Sequence, residues 1–382
     1  MAVRLVQIEG GPRDRGLAYG EAARAEIRTS IAYYREAFRL SSGLEWTDVQ
    51  ASARRWREPV AAVAPHLLEE MDAIADGAGV HQDEILALNA RGEIVRNTDS
   101  GFNPAVSEET PEEPADGCSS FALLPEATGD GHVYCGQNWD WREGTQDSVV
   151  LVRVVQPPKP TIIMQVEAGQ IGRHGANSAG IALNANGLNG RFGTPIGIPQ
   201  PVLRRLILDH DYLKSALQVP FDVHQHIATN LLVTHRGGVA VDYETTPVVH
   251  RWGLPQNGIL VHGNHYQYGV PPEIAATHKV RPVDSLYRVQ VIERGLAAAR
   301  TATSSAEVRK VVATTMSDHV GHPDGVCAHV DPRATPLQRY KTIASSLVDL
   351  TSGEYRVAVG NPCENDYELL PWQLYDGPGG QG

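Results

Sequence analysis

Residues 101–117 carry Pro104, Pro111 and Pro114 among Glu108, Glu109, Glu112, Glu113 and Asp116, and no apolar pattern runs through them. A stretch that buries nothing and repels itself cannot sit inside a core, so it reads as an exposed acidic loop. It divides two textures, and that division constrains the fold more than any other feature. Before it the periodicity is helical. Leu17, Ala18, Ala22, Ala25, Ile27, Ile31, Tyr34 and Phe38 share a broad apolar stripe over 14–40, as an amphipathic helix requires. A second helical region covers 46–63. Pro65 opens a third that stops near Gly77 and Gly79, and Asp83 caps a fourth through Ile85, Leu86 and Leu88.

After the loop come short β-rich runs at 119–124, 132–138, 149–155, 161–166, 171–175 and 181–184, broken by Gly, Pro and Asn. The first two flank Thr128-Gly129-Asp130-Gly131, a hairpin turn. Helical patterns return at 202–216 and 223–229, strands at 231–234, 239–243, 248–251 and 259–262, and helices at 285–298 and 305–314. Strands at 342–349 and 354–359 close the chain, and no repeat is visible. Antiparallel hairpins followed by helical blocks predict an α+β fold with helices layered on sheets.

The formal net charge of −12 is spread along the chain apart from the acidic loop. It provides no basic face for nucleic acid and no basic patch for an anionic membrane. No run approaches the roughly 20 apolar residues that span a bilayer. Met1-Ala2-Val3-Arg4-Leu5 lacks a basic region leading into an apolar run, so no signal peptide is expected. Four cysteines, Cys118, Cys135, Cys327 and Cys363, are too few for a disulfide scaffold, and a reduced, cytoplasmic setting is the expectation.

Cys118 stands where the acidic loop meets the first strand, in Asp116-Gly117-Cys118-Ser119-Ser120. Most cysteines are small buried hydrophobes. Here Gly117 permits strained backbone, the loop before it can be cut without dismantling a core, and the strand after it fixes the residue in place. A cut before Cys118 would free an α-amine of pKa about 7.7–8.0, able to act as general base for its own thiol.

Asp116-Gly117-Cys118-Ser119-Ser120-Phe121, followed by Gly136-Gln137-Asn138-Trp139-Asp140-Trp141, resembles the penicillin acyltransferase (acyl-coenzyme A:isopenicillin-N acyltransferase) family of N-terminal-nucleophile cysteine hydrolases. The opening Glu9-Gly10-Gly11-Pro12-Arg13-Asp14-Arg15-Gly16 is similar to that family's start. So are His262-Gly263-Asn264-His265-Tyr266, Asp284-Ser285-Leu286-Tyr287-Arg288, Ser317-Asp318-His319 and Gly360-Asn361-Pro362-Cys363, in order along nearly the whole chain.

The resemblance implies a four-layer αββα sandwich and self-cleavage between Gly117 and Cys118. The products would be an α fragment, 1–117, and a β fragment, 118–382, that remain one structural domain. It implies Cys118 as nucleophile, Asn264 as oxyanion donor, and Asp140 and Arg288 as a charged pair lining the site. The substrate would be a small acyl amide or acyl thioester, and the chemistry calls for no metal or organic cofactor. Read without the resemblance, Asp140 is a strand-end residue, Arg288 an ion-paired helix position and Asn264 a turn residue. Two other readings of the chain stay open. One is a papain-like Cys–His–Asn amidase using Cys118, His262 and Asn264 without self-cleavage, although the local papain signature is absent. The other is a non-catalytic binding protein on the same scaffold.

His262-x-x-His265 and the group His319, His322, Cys327 and His329 match no closed zinc pattern with paired cysteines. They read as hydrogen-bonded or surface histidines. Cys135 and Cys363 read as structural residues in a strand and a turn.

Overall fold

The computed structural model describes residues 3–96 and 117–376. Strand β1 (Arg4–Glu9) precedes helices α1 (Pro12–Ala22), α2 (Arg24–Ser42), α3 (Trp46–Ala53), α4 (Arg57–Val63), α5 (Pro65–Ala78), α6 (Gln82–Asn89) and α7 (Arg91–Arg96). Six strands follow the undescribed segment: β2 (Gly117–Leu123), β3 (Tyr134–Arg142), β4 (Val149–Val155), β5 (Ile162–Glu167), β6 (His174–Asn177) and β7 (Ile181–Gly187). Helices α8 (Gln200–Leu208) and α9 (Leu213–Asp222) lead to β8 (Thr229–His235), β9 (Val239–Thr245), β10 (His250–Gly253) and β11 (Ile259–His262). The chain finishes with α10 (Ser285–Leu296), α11 (Ser305–Met316), β12 (Tyr340–Asp349), β13 (Glu354–Val359) and the short β14 (Glu368–Leu369).

The strands form two sheets, ordered β1-β4-β5-β6-β7-β8-β9-β10 and β11-β2-β3-β12-β13-β14. Every pairing is antiparallel except β1 with β4. Side-chain alternation along each strand decides the layers. Val150, Val152 and Val154 of β4 pack with Ile27, Met71, Leu86 and Leu203 of the helices. Their neighbour Leu151 faces the other way and joins Ile163, Ala182 and Leu232 against Cys135, Val348 and Val357 of the second sheet. The opposite face of that sheet presents Phe121, Leu123 and Leu347 to Val289, Ile292, Val308 and Val312 of α10 and α11. The order is helices, sheet, sheet, helices: the four-layer αββα sandwich of the α+β class. The two central layers are covered on both faces, so every residue of β2 is buried.

Elements from both sides of residues 97–116 build the same helical-layer core, since Ile31 and Ile74 share it with Val166 and Ile207. A buried ion network reinforces it. Glu70 of α5 accepts from Arg15 of α1 at 2.6 Å and from Arg205 of α8 at 3.0 Å, and Arg205 also holds Asp209 at 2.8 Å. Helices α1 and α5 touch backbone to backbone: a Cβ on Gly20 would lie 2.2 Å from the Ile74 carbonyl oxygen. Among the described helices none is long and apolar enough to cross a membrane.

The structure corrects three local expectations. Residues 4–9 form an edge strand in a region read as helical. The helix expected over 202–216 is two helices, α8 and α9. The helix expected at 223–229 is absent, because α9 ends at Asp222 and Val223 is already extended. The acidic loop falls almost wholly outside the described residues.

Candidate active site

Cys118 is the second residue of β2 and lies opposite Trp139 of β3. Its side chain is fully buried with Trp139, Val149, Ile343 and Ala344, and none of the four cysteines is in a disulfide. Gly117 lies opposite Asp140. The ring of Tyr340 closes over this glycine: a Cβ there would come 2.7 Å from Tyr340 Cε2 and 3.2 Å from Asp140 Cβ. The residue before Cys118 is therefore held to glycine by packing.

The other candidate residues reach Cys118 through one guanidinium. Arg288 sits in the first turns of α10 and is completely buried. Its Nε donates to Asp284 Oδ2 at 2.7 Å, one helical turn back, which fixes the plane of the fork. Nη1 donates to the Cys118 carbonyl oxygen at 2.9 Å and to Ser119 Oγ at 2.5 Å. Nη2 donates to Asn264 Oδ1 at 3.0 Å. Because a guanidinium only donates, the Asn264 oxygen must face it and the amide nitrogen must face away. That Nδ2 donates to the Gly187 carbonyl at 3.2 Å. The loop carrying Asn264 is pinned by Ser285, whose Oγ accepts the Asn264 backbone N–H at 2.6 Å and pairs with His265 Nδ1 at 2.7 Å.

Asp140 completes the group. Its Oδ1 accepts from Thr342 Oγ1 at 2.5 Å. Oδ2 is buried and has no hydrogen-bond partner among the described residues. Burial pushes this carboxyl up to about 7, against the pull of Arg288 and the Thr342 hydroxyl. An acid near pH 7 beside the Gly117–Cys118 peptide is equipped to accept and return a proton.

His262 cannot do the same for Cys118. Its Nε2 lies 3.0 Å from Glu244 Oε1 and its Nδ1 lies 2.9 Å from the Gly263 carbonyl oxygen. Burial opposes its charge, but Asp242 and Glu244 outweigh that and the pKa is raised. Both nitrogens then donate, and none is left to take a thiol proton. This geometry removes the general base a papain-like amidase needs.

The structure brings Cys118, Asn264, Asp140 and Arg288 together. It also adds Ser119, Ser285 and Thr342, which the sequence reading did not single out. Ser119 and Ser285 lay inside the Asp116–Phe121 and Asp284–Arg288 blocks, whereas Thr342 carried no signal. Asn186, in β7, ties into the same region. Its amide reaches from β7 to Ser120 Oγ at 2.8 Å and to the His262 carbonyl at 3.1 Å, tying the two sheets behind the site.

A cavity of about 310 Å³ opens nearby, walled by Tyr34, Arg91, Trp141, Arg142, Arg173 and Arg204 among others. None of the four candidate residues lines it. The connection runs through Trp139: Arg173, a wall residue, lies 3.7 Å over its ring. Arg91 lies 5.4 Å over Trp141, the next residue on the same face of β3.

Residues 127–364 match the profile of the family described as acyl-coenzyme A:6-aminopenicillanic acid acyl-transferase. The matched span contains Asp140, Asn264 and Arg288 and begins downstream of Cys118. The acyl-coenzyme A:6-aminopenicillanic-acid-acyltransferase 40 kDa form of Emericella nidulans is 27% identical over 269 residues, 68% of each chain. Among solved structures, penicillin V acylase from Agrobacterium tumefaciens aligns with a TM-score of 0.43 at 12% identity, over 63% of this chain and 83% of that one. A variant of conjugated bile acid hydrolase from Clostridium perfringens aligns with the same TM-score at 10% identity, over 67% and 97%.

Proposed function

The chain belongs to the acyl-coenzyme A:6-aminopenicillanic acid acyl-transferase family, an enzyme family, and from that premise we propose that it is a self-cleaving N-terminal cysteine amidohydrolase or acyltransferase with Cys118 as nucleophile. The observation that carries the reading is the Arg288 fork, which holds the Cys118 carbonyl, Ser119 Oγ and the Asn264 amide at once.

Self-cleavage begins when Asp140, as carboxylate, takes the Cys118 thiol proton. The thiolate sulfur attacks the Gly117 carbonyl carbon, and the carbonyl pair moves onto oxygen. Collapse expels the Cys118 nitrogen, which receives the proton and becomes an α-amine. Gly117 is left as a thioester on Cys118. Water hydrolyses it, releasing a carboxylate at Gly117 and restoring the thiol.

In turnover the new amine, of pKa about 7.7–8.0, is the general base. The Cys118 sulfur attacks a substrate amide or thioester carbonyl, and the amine passes the proton to the leaving group. Water or an amine then takes the acyl group from sulfur. The Asn264 amide is oriented to donate to the tetrahedral oxyanion, and its 3.2 Å bond to Gly187 is long enough to be exchanged for that stronger partner. Arg288 positions both groups.

Among the described residues the cavity wall bears Arg91, Arg142, Arg173 and Arg204 together with Glu93, and Arg91 is also paired with Glu167. Guanidinium groups on this wall can meet an anionic group on the substrate, such as a carboxylate on the acyl or amine portion. A panel of N-acyl amino acids, their neutral amides and acyl thioesters tests this. Faster turnover of the carboxylates is expected, and preference for neutral amides would contradict it.

A further inference from the structure

Four side chains on the far side of Asp140 converge on one point. His319 and His329 approach with their Nε2 atoms 3.1 Å apart. Cys327 Sγ lies 3.7 Å and Cys363 Sγ 3.4 Å from His329 Nε2, and the two sulfurs are 3.5 Å apart. All four atoms lie within 4.8 Å of one another. Hydrogen bonding does not account for this. One imidazole nitrogen carries a single proton or a single lone pair, yet His329 Nε2 faces three partners.

A shared cation does account for it. Zinc bound tetrahedrally at about 2.3 Å to sulfur and about 2.0–2.1 Å to nitrogen sets S···S near about 3.8 Å, S···N near about 3.5 Å and N···N near about 3.3 Å. The spacings among Cys327, His329 and Cys363 and between the two histidines lie close to those values, and His319 Nε2 lies within 4.8 Å of both sulfurs. Asn361 supplies a donor to one of the sulfurs: its Nδ2 lies 3.3 Å from Cys327 Sγ and 2.7 Å from the Ala328 carbonyl oxygen.

We propose that His319, Cys327, His329 and Cys363 form a structural zinc site. Two thiolates and two imidazoles in a tetrahedron favour zinc over harder cations, and four protein ligands leave no open position for catalysis. The site answers a need in the fold. Residues 317–339 link α11 to β12 with no helix or strand of their own, longer than most such connections. The ion staples this loop to the turn after β13. Ala328, between two ligands, accepts the Thr342 backbone N–H on its carbonyl and donates its own N–H to the Thr342 hydroxyl, which in turn donates to Asp140. Thr335, Leu337 and Gln338 of the same loop wall the cavity. The zinc thus fixes a side of the proposed active site without touching substrate. The proposal rests on this geometry and not on the assignment of Cys118.

The full chain, purified under reducing conditions without chelator, is analysed for zinc by elemental analysis. About one zinc per chain is expected, falling at least about fivefold in Cys363→Ser and in His319→Ala. Both residues are exposed, so the changes leave the core intact. Wild-type protein stripped by chelation and given cobalt(II) should show thiolate-to-cobalt charge-transfer absorption, which Cys363→Ser weakens. Three results would overturn the proposal. The first is wild-type protein with four titratable thiols that retains no zinc and gives no cobalt band. The second is a Cys327–Cys363 disulfide in peptide mapping of the same preparation. The third is full zinc content in both variants.

Discussion

Arg288 Nη1 donates to the carbonyl oxygen of Cys118 across 2.9 Å, so a helix of the outer layer grips the strand end that carries the thiol. The same guanidinium orients Asn264, and the two contacts make the proposed nucleophile and the proposed oxyanion donor parts of one unit. Arg288→Lys keeps a charge but loses the fork. The variant should process and turn over substrate at least about 100-fold more slowly while its circular dichroism stays native. Normal kinetics in this variant would remove the positioning role.

Asn264→Ala deletes the proposed oxyanion donor. The expected loss is about 100- to 1,000-fold in kcat with KM little changed, measured on protein already cut before Cys118. A loss confined to KM would assign Asn264 to substrate binding instead.

The Asp140 carboxyl, raised by burial to about 7, gives self-cleavage a pH dependence. As the proposed base for the thiol proton it would work when ionised, so the processing rate should rise with pH through about 7 and then level off. Asp140→Asn should be slow and lack that inflection. Stability runs the other way. An acid whose folded pKa lies above its usual 3.8 contributes stability that is present at low pH and lost as pH rises through about 7. Wild-type protein should lose stability relative to Asp140→Asn between about pH 4 and 7 and level off above that, as read by thermal unfolding.

Glu70 is buried between Arg15 and Arg205. Glu70→Gln leaves two guanidinium groups short of a counter-charge and should cost about 3–5 kcal/mol, measured by denaturant unfolding. A loss below about 1 kcal/mol would mean that water reaches the network.

The α+β class was legible because strand and helix periodicities differ and the acidic stretch separates them. The sandwich order came from the family resemblance, since periodicity does not say which sheet faces which. Strand β1 was missed because it is a short edge strand whose residues alternate between buried and exposed. The 223–229 helix was expected from apolar residues, Val223 and Ile227, that pack without a helical backbone. In the site, Cys118, Asp140, Asn264 and Arg288 could be named because they lie in chemical motifs. Thr342 could not, because a small hydroxyl in a strand looks like any other, and Ser119, although inside the Asp116–Phe121 block, gave no sign that its hydroxyl meets Arg288. Cys363 was read as a turn residue: its approach to His329 depends on how β13 returns beside the 317–339 loop, and sequence spacing carries no trace of that.

The account turns on the bond between Gly117 and Cys118. Intact mass with N-terminal sequencing of the purified protein reads it directly. Two fragments, 1–117 and 118–382, with the second beginning at Cys118, are expected for the wild type, and a single uncut chain for Cys118→Ala. An uncut wild-type chain that still hydrolyses acyl amides would contradict the account.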